Sequence, residues 1–116
     1  MKIIVCGGSR FQDKQQVFDQ LDALHAQTPL TLIVNGGARG ADLFSSQWAR
    51  ERGVALARYQ AFPSASGRKQ AFCDLNRQML AEHTPDLVLA FPGGAVTADL
   101  VARAEEAGIP VAHAGR

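Results

Sequence analysis

The sequence predicts a single α/β domain over 1–116, a doubly wound sheet of about five parallel strands with helices on both faces. Three observations predict it. Short apolar runs of strand length recur along the chain. Most run into glycine or proline and then into a longer stretch with helical periodicity. The 116 residues, 47% hydrophobic, suffice for one core and leave little for a second.

The first run, Ile3 to Cys6, ends at Gly7-Gly8. A helix follows in which Val17, Leu21 and Leu24 recur at helical spacing beside Phe18, while Lys14, Gln15, Asp19 and Asp22 fall on the other faces and Asp13 offers an N-cap. The second run, Leu30 to Val34, opens into the loop from Asn35 to Asp42. Its helix is expected to begin near Arg39 or Ala41, to turn Leu43, Phe44 and Trp48 inward, and to stop at Gly53. Val54 to Tyr59 reads as the third strand, and Ala61 to Gly67, with Pro63, Ser64 and Ser66, as a loop before a helix carrying Phe72, Leu75 and Met79. Leu87 to Phe91 is the fourth strand. The last helix carries Leu100, Val101 and Ala104 and stops at Gly108, ahead of a fifth strand at Ile109 to Ala112.

Composition removes several function classes. A formal net charge of +1 with 20% charged residues gives no bulk field for DNA, RNA or an anionic membrane, so nucleic acid is not the expected partner. Cys6 and Cys73 form no CxxC pattern, and a reducing cytoplasm suits them. His25, His83 and His113 are scattered without metal-ligand spacing; neither a metal nor a cofactor is expected. The N-terminal apolar run is too short for a signal peptide, and no run approaches a membrane span.

Three glycine-bearing loops leave strands toward helices. Gly7-Gly8-Ser9-Arg10 pairs unencumbered amides with a guanidinium, although two glycines after a strand are equally a tight turn. Asn35-Gly36-Gly37-Ala38-Arg39-Gly40-Ala41-Asp42 fits neither the P-loop nor the dinucleotide spacing, yet its three glycines between a strand and a helix suit a nest of amides. Asp42 reads first as a helix cap and second as a ligand contact. Phe91-Pro92-Gly93-Gly94-Ala95-Val96-Thr97 sets glycines and a hydroxyl at a helix start, where an anion is favoured. In a parallel sheet such loops gather at the carboxyl edge, where ligands bind at a reversal of strand order. Ser64, Ser66, Arg68, Lys69, Asn76 and Arg77 offer further polar contacts, with Arg68 and Lys69 read by default as solvated cations.

Gly8-Ser9-Arg10 with Asp13, the Gly36 to Asp42 loop followed by Trp48-Ala49, and Pro92-Gly93-Gly94 with Thr97-Ala98-Asp99 together resemble the YspA/YpsA-related branch of the SLOG superfamily, over nearly the whole chain. The resemblance implies a Rossmann-like fold, a nucleotide or nucleotide-derived ligand, and a homodimer, because relatives often pair through their helices. The superfamily includes the LOG phosphoribohydrolases and nucleotide-sensing domains. Two departures stand out. The LOG pattern PGGxGTxxE would place Gly at 96 and a catalytic Glu at 100, where this chain has Val96 and Leu100. An Arg commonly precedes the helix-three Asn in this branch, whereas Leu75 precedes Asn76 in this chain.

The expected ligand shell is therefore Gly8, Ser9, Arg10, Gly36, Gly37, Arg39, Gly40, Asp42, Asn76, Gly93, Gly94 and Thr97. Asp42 and Asp99 are the candidates for an acid or base if the chain is an enzyme, a nucleotide-processing hydrolase or phosphoribohydrolase-like enzyme in place of a binding or sensing domain. The residues leave catalysis open.

Overall fold

Alternate residues of the first strand divide the molecule's core: Ile3 and Val5 enter one buried cluster, Ile4 and Cys6 the other. The structure, a computed structural model, describes residues 1–62, 65 and 67–115. Pro63, Ser64 and Ser66 lie outside the described residues. The chain alternates β1 (Lys2–Cys6), α1 (Lys14–Gln27), β2 (Leu32–Asn35), α2 (Ala41–Arg52), β3 (Ala55–Arg58), α3 (Arg68–His83), β4 (Leu87–Ala90), α4 (Ala95–Glu106) and β5 (Val111–His113).

Every strand pairing is parallel, and the order across the sheet is β3-β2-β1-β4-β5. In register, Ile4 lies opposite Val34 of β2 and Val88 of β4. Val17 and Leu21 of α1 and Trp48 of α2 cover one face, while Met79 of α3 and Leu100 of α4 cover the other. This is the expected α/β, Rossmann-like architecture. The order reverses between β1 and β4, the place at the carboxyl edge of such a sheet where a ligand crevice is expected.

Helix signals act as expected at several ends. Asp13 caps α1 by accepting from the Gln16 amide at 3.1 Å, and Gly53 closes α2 in the left-handed conformation (φ 68°). α2 departs from expectation at its inner face. Leu43 is 40% exposed, and the buried stripe is Ala41, Ser45, Trp48 and Ala49. These four repeat at the spacing of one helix face, and three of them are small, which brings α2 close to the sheet. Trp48 is the large member, and its indole N–H donates to Asp22 of α1 at 2.9 Å. Strand bounds also shift by a residue or two: β2 starts at Leu32 and β5 at Val111.

Candidate functional site

Two contacts fasten the loops at the strand-order reversal. The Gly8 amide donates to the Pro92 carbonyl at 2.8 Å, and the Phe91 amide to the Cys6 carbonyl at 2.9 Å. A Cβ on Gly93 would come within 2.2 Å of Thr97 Oγ1 and 2.6 Å of the Gly8 nitrogen. These glycines serve the close approach of two loops, and the Gly8 amide already has its acceptor.

Beside this junction lies a cavity of about 400 Å³. Val5, Cys6, Met79 and Leu100 give it an apolar base. Gly36, Ala38 and Asp42 line it from the β2 side, and Gly94, Ala95, Val96 and Thr97 from the β4 side. Gly8, Ser9 and Asn76 line it as well, as do Arg68, Lys69 and Phe72 of α3. Few polar groups on a largely apolar wall is the usual make-up of a small-molecule site.

The β2 loop does build a nest of amides, and the protein fills it itself. Asp42 Oδ2 accepts from the amides of Gly36 at 3.1 Å and Ala38 at 3.2 Å, while the Gly37 amide donates to Asn35 Oδ1 at 2.9 Å. Asp42 is therefore not the helix cap: Gly40 holds that position with φ 75°, and the Asp42 side chain turns back to the loop. Only glycine fits at 40, since a Cβ there would lie 2.3 Å from the Gly8 carbonyl. Asp42 is only 6% exposed. Burial pushes its carboxyl up to about 7, against the pull of the Ala38 and Gly36 amides. Burial, with the nearby Asp42 charge, also drives the Cys6 thiol upward, so it offers no thiolate near neutral pH.

On the β4 side, α4 starts at Gly94 with no side-chain cap, and its first turn borders the cavity. Helix-start amides without partners and the helix dipole both favour an anion there. Asn76 of α3, 4% exposed, steadies that turn: its Nδ2 donates to the Val96 carbonyl at 3.0 Å and to Asp99 Oδ2 at 3.1 Å. Asp99 also accepts from Arg103 Nε at 2.8 Å. Partial burial raises its carboxyl, but the Arg103 and Asn76 hydrogen bonds outweigh this and hold it below the usual carboxylate range. Asp99 is outside the cavity lining, and its Oδ2 is engaged by Asn76 and Arg103.

The expected shell thus divides. Gly8, Ser9, Gly36, Asp42, Asn76, Gly94 and Thr97 line the cavity; Gly37, Arg39, Gly40 and Gly93 do not. Arg39 is exposed beyond it. Arg10 is exposed too, in a shallower neighbouring hollow with Phe11 and Gly93. Sequence reasoning offered Arg68 and Lys69 as contacts but read them by default as solvated, and gave Phe72 to the apolar stripe of its helix; all three line the cavity, and the Arg68 guanidinium lies 5.7 Å from the Phe72 ring centre. Their one signal was position, directly after Gly67 at a helix start on the carboxyl edge of the sheet. Arg77 is exposed and lies outside the cavity lining.

Among the described residues no three His, Cys, Asp or Glu side chains gather as a metal site, and no helix is long and apolar enough to cross a membrane. The model of the YspA, cpYpsA-related SLOG family matches residues 1–62. The chain is similar to the Gene 61 protein of Mycobacterium phage D29, with 32% identity over 98% of this chain and 96% of that one. An X-ray structure of TM1055, a structural genomics target, has a similar fold: TM-score 0.65 at 22% identity, covering 95% of this chain and 71% of that one.

Proposed function

Since the chain belongs to the YspA, cpYpsA-related SLOG family, we propose that it binds a nucleotide or nucleotide-derived small molecule in the cavity beside the β1–β4 junction. The observation that carries the reading is the uncapped first turn of α4, which borders an apolar-based cavity also lined by Arg68 and Lys69. The phosphate lies at that turn, where amides, dipole and the two cations act together. Phe72 and the apolar base take the flat remainder of the ligand.

The test is isothermal titration of the protein with nucleoside mono- and diphosphates, ADP-ribose and cyclic nucleotides. Saturable binding of at least one is expected. No heat of binding from any member of the panel would sink the reading.

One observation favours a second reading, a hydrolase acting on such a ligand. The Asp42 carboxyl, raised to about 7 at the cavity wall, has the protonation range of a general acid or base. Val96 and Leu100 stand where a LOG active site has Gly and Glu, so any chemistry would differ from LOG hydrolysis. Chromatography of the incubated ligand decides: a released base or phosphate that disappears with Asp42→Asn supports the enzyme, and recovery of intact ligand supports the binding domain.

A further inference from the structure

The two ends of the cavity are chemically opposite. β2 and β4 flank β1, so the elements that follow them bring Asp42 and the first turn of α4 to the cavity from opposite sides of β1. At the α4 end the amides lack a side-chain acceptor. At the β2 end the Gly36 and Ala38 amides already hold Asp42 Oδ2.

The other carboxylate oxygen, Oδ1, receives no donor from the described residues. Asp42 lines the cavity beside Gly36 and Ala38, the two residues whose amides hold its Oδ2. A largely buried carboxylate is costly to hold on few donors, and a further donor from a ligand relieves that cost.

Building on the nucleotide-binding reading, we infer that the β2 end of the cavity selects a neutral hydrogen-bond donor, a sugar hydroxyl or an exocyclic amine, on Asp42 Oδ1, and rejects a second anionic group. A donor gains a charge-assisted bond there. A second phosphate would meet the carboxylate that already occupies the nest, and like charges held close in a site of low polarity repel strongly. The loop that looked in sequence like a phosphate cradle thus has the opposite preference, and the ligand has one orientation: anion toward α4, donor toward β2.

The substitution Asp42→Asn inverts this end. To satisfy the Gly36 and Ala38 amides, the asparagine must place its oxygen where Oδ2 stands, leaving its NH₂ to face the cavity. An acceptor becomes a donor at nearly constant shape.

The experiment titrates wild type and Asp42→Asn at pH 8 with adenosine 5′-monophosphate, 2′,3′-dideoxyadenosine 5′-monophosphate, which lacks the hydroxyls, and inosine 5′-monophosphate, which lacks the amine. Wild type is expected to prefer adenosine monophosphate over one of the two analogues by about tenfold or more, the losing analogue naming the donor. In Asp42→Asn that ratio should fall to about threefold or less, with a far-ultraviolet spectrum matching wild type to establish that the variant folds. Equal wild-type affinity for all three ligands overturns this inference alone, and needs no variant. A ratio that survives in folded Asp42→Asn overturns it as well. Failure of all three to bind wild type counts against the nucleotide reading itself, and this inference falls with it.

Discussion

The side-chain amide of Asn35 donates to the backbone carbonyl of Asp42 at 3.0 Å, so the last residue of β2 holds the first turn of α2 in place. The same nitrogen meets Ser45 Oγ at 3.0 Å and Ser46 Oγ at 2.9 Å, and Asn35 Oδ1 takes the Gly37 amide. Asn35 is fully buried. Asp42 therefore owes its position to a buried polar hub of which Asn35, Ser45 and Ser46 lie outside the cavity lining.

Asn35→Ala strips that hub and leaves several buried polar groups short of a partner, at a cost of about 3 kcal/mol. Urea denaturation should register a lowered midpoint, and nucleotide affinity should fall along with it. A variant as stable as wild type would mean that the hub does not hold the loop.

Gly40→Ala and Gly94→Ala should differ sharply. The first puts a Cβ 2.3 Å from the Gly8 carbonyl at φ 75°, while the second meets nothing within 4 Å. We expect Gly40→Ala to lose at least about 2 kcal/mol more than Gly94→Ala, compared by thermal melting. Equal melting temperatures would refute the packing assigned to Gly40.

Asp42 should make the protein less stable in alkaline than in mildly acidic solution. Its carboxyl rises from an ordinary 3.8 to about 7, so between those values the folded chain holds a proton that the unfolded chain releases. The stabilisation from that proton is complete below about 4 and is lost as pH climbs through about 7, to an extent of at most about 4 kcal/mol. Asp42→Asn cannot ionise there. Its melting temperature relative to wild type should accordingly be more favourable at pH 8 than at pH 5, and a constant difference would mean that the pH dependence does not come from Asp42.

Lys69→Ala and Arg68→Ala are each expected to weaken nucleotide binding several-fold and to flatten its salt dependence, because both side chains line the cavity. Arg39→Ala, at an exposed residue outside the lining, is expected to leave the isotherm unchanged. The reverse ranking would move the anion to the β2 loop.

The strand-to-helix alternation was readable because most strands of this sheet are short apolar runs closed by glycine or proline, as at Ile3 to Cys6 and Leu87 to Phe91. The inner face of α2 was not. Ala41, Ser45 and Ala49 carry little hydrophobic signal, and the pattern pointed to Leu43 instead. The edge of the sheet where the loops gather could be inferred, but not where their amides point. That is settled by one carboxylate, Asp42, folding back on Gly36 and Ala38, a choice made by three-dimensional packing and invisible in glycine spacing. Arg68 and Lys69 look like any exposed pair of cations until the path from β3 to α3 brings them to the cavity.

The bond between the Gly8 amide and the Pro92 carbonyl has a temporal consequence. Its partners belong to opposite halves of the chain, and β4 must dock beside β1 before either can form it. A chain emerging from the ribosome that has completed only the first three strands can assemble local βαβ contacts but has no pocket. The cavity is thus complete only once α4 has followed β4 into place, and the nucleotide binding proposed for it waits on that step.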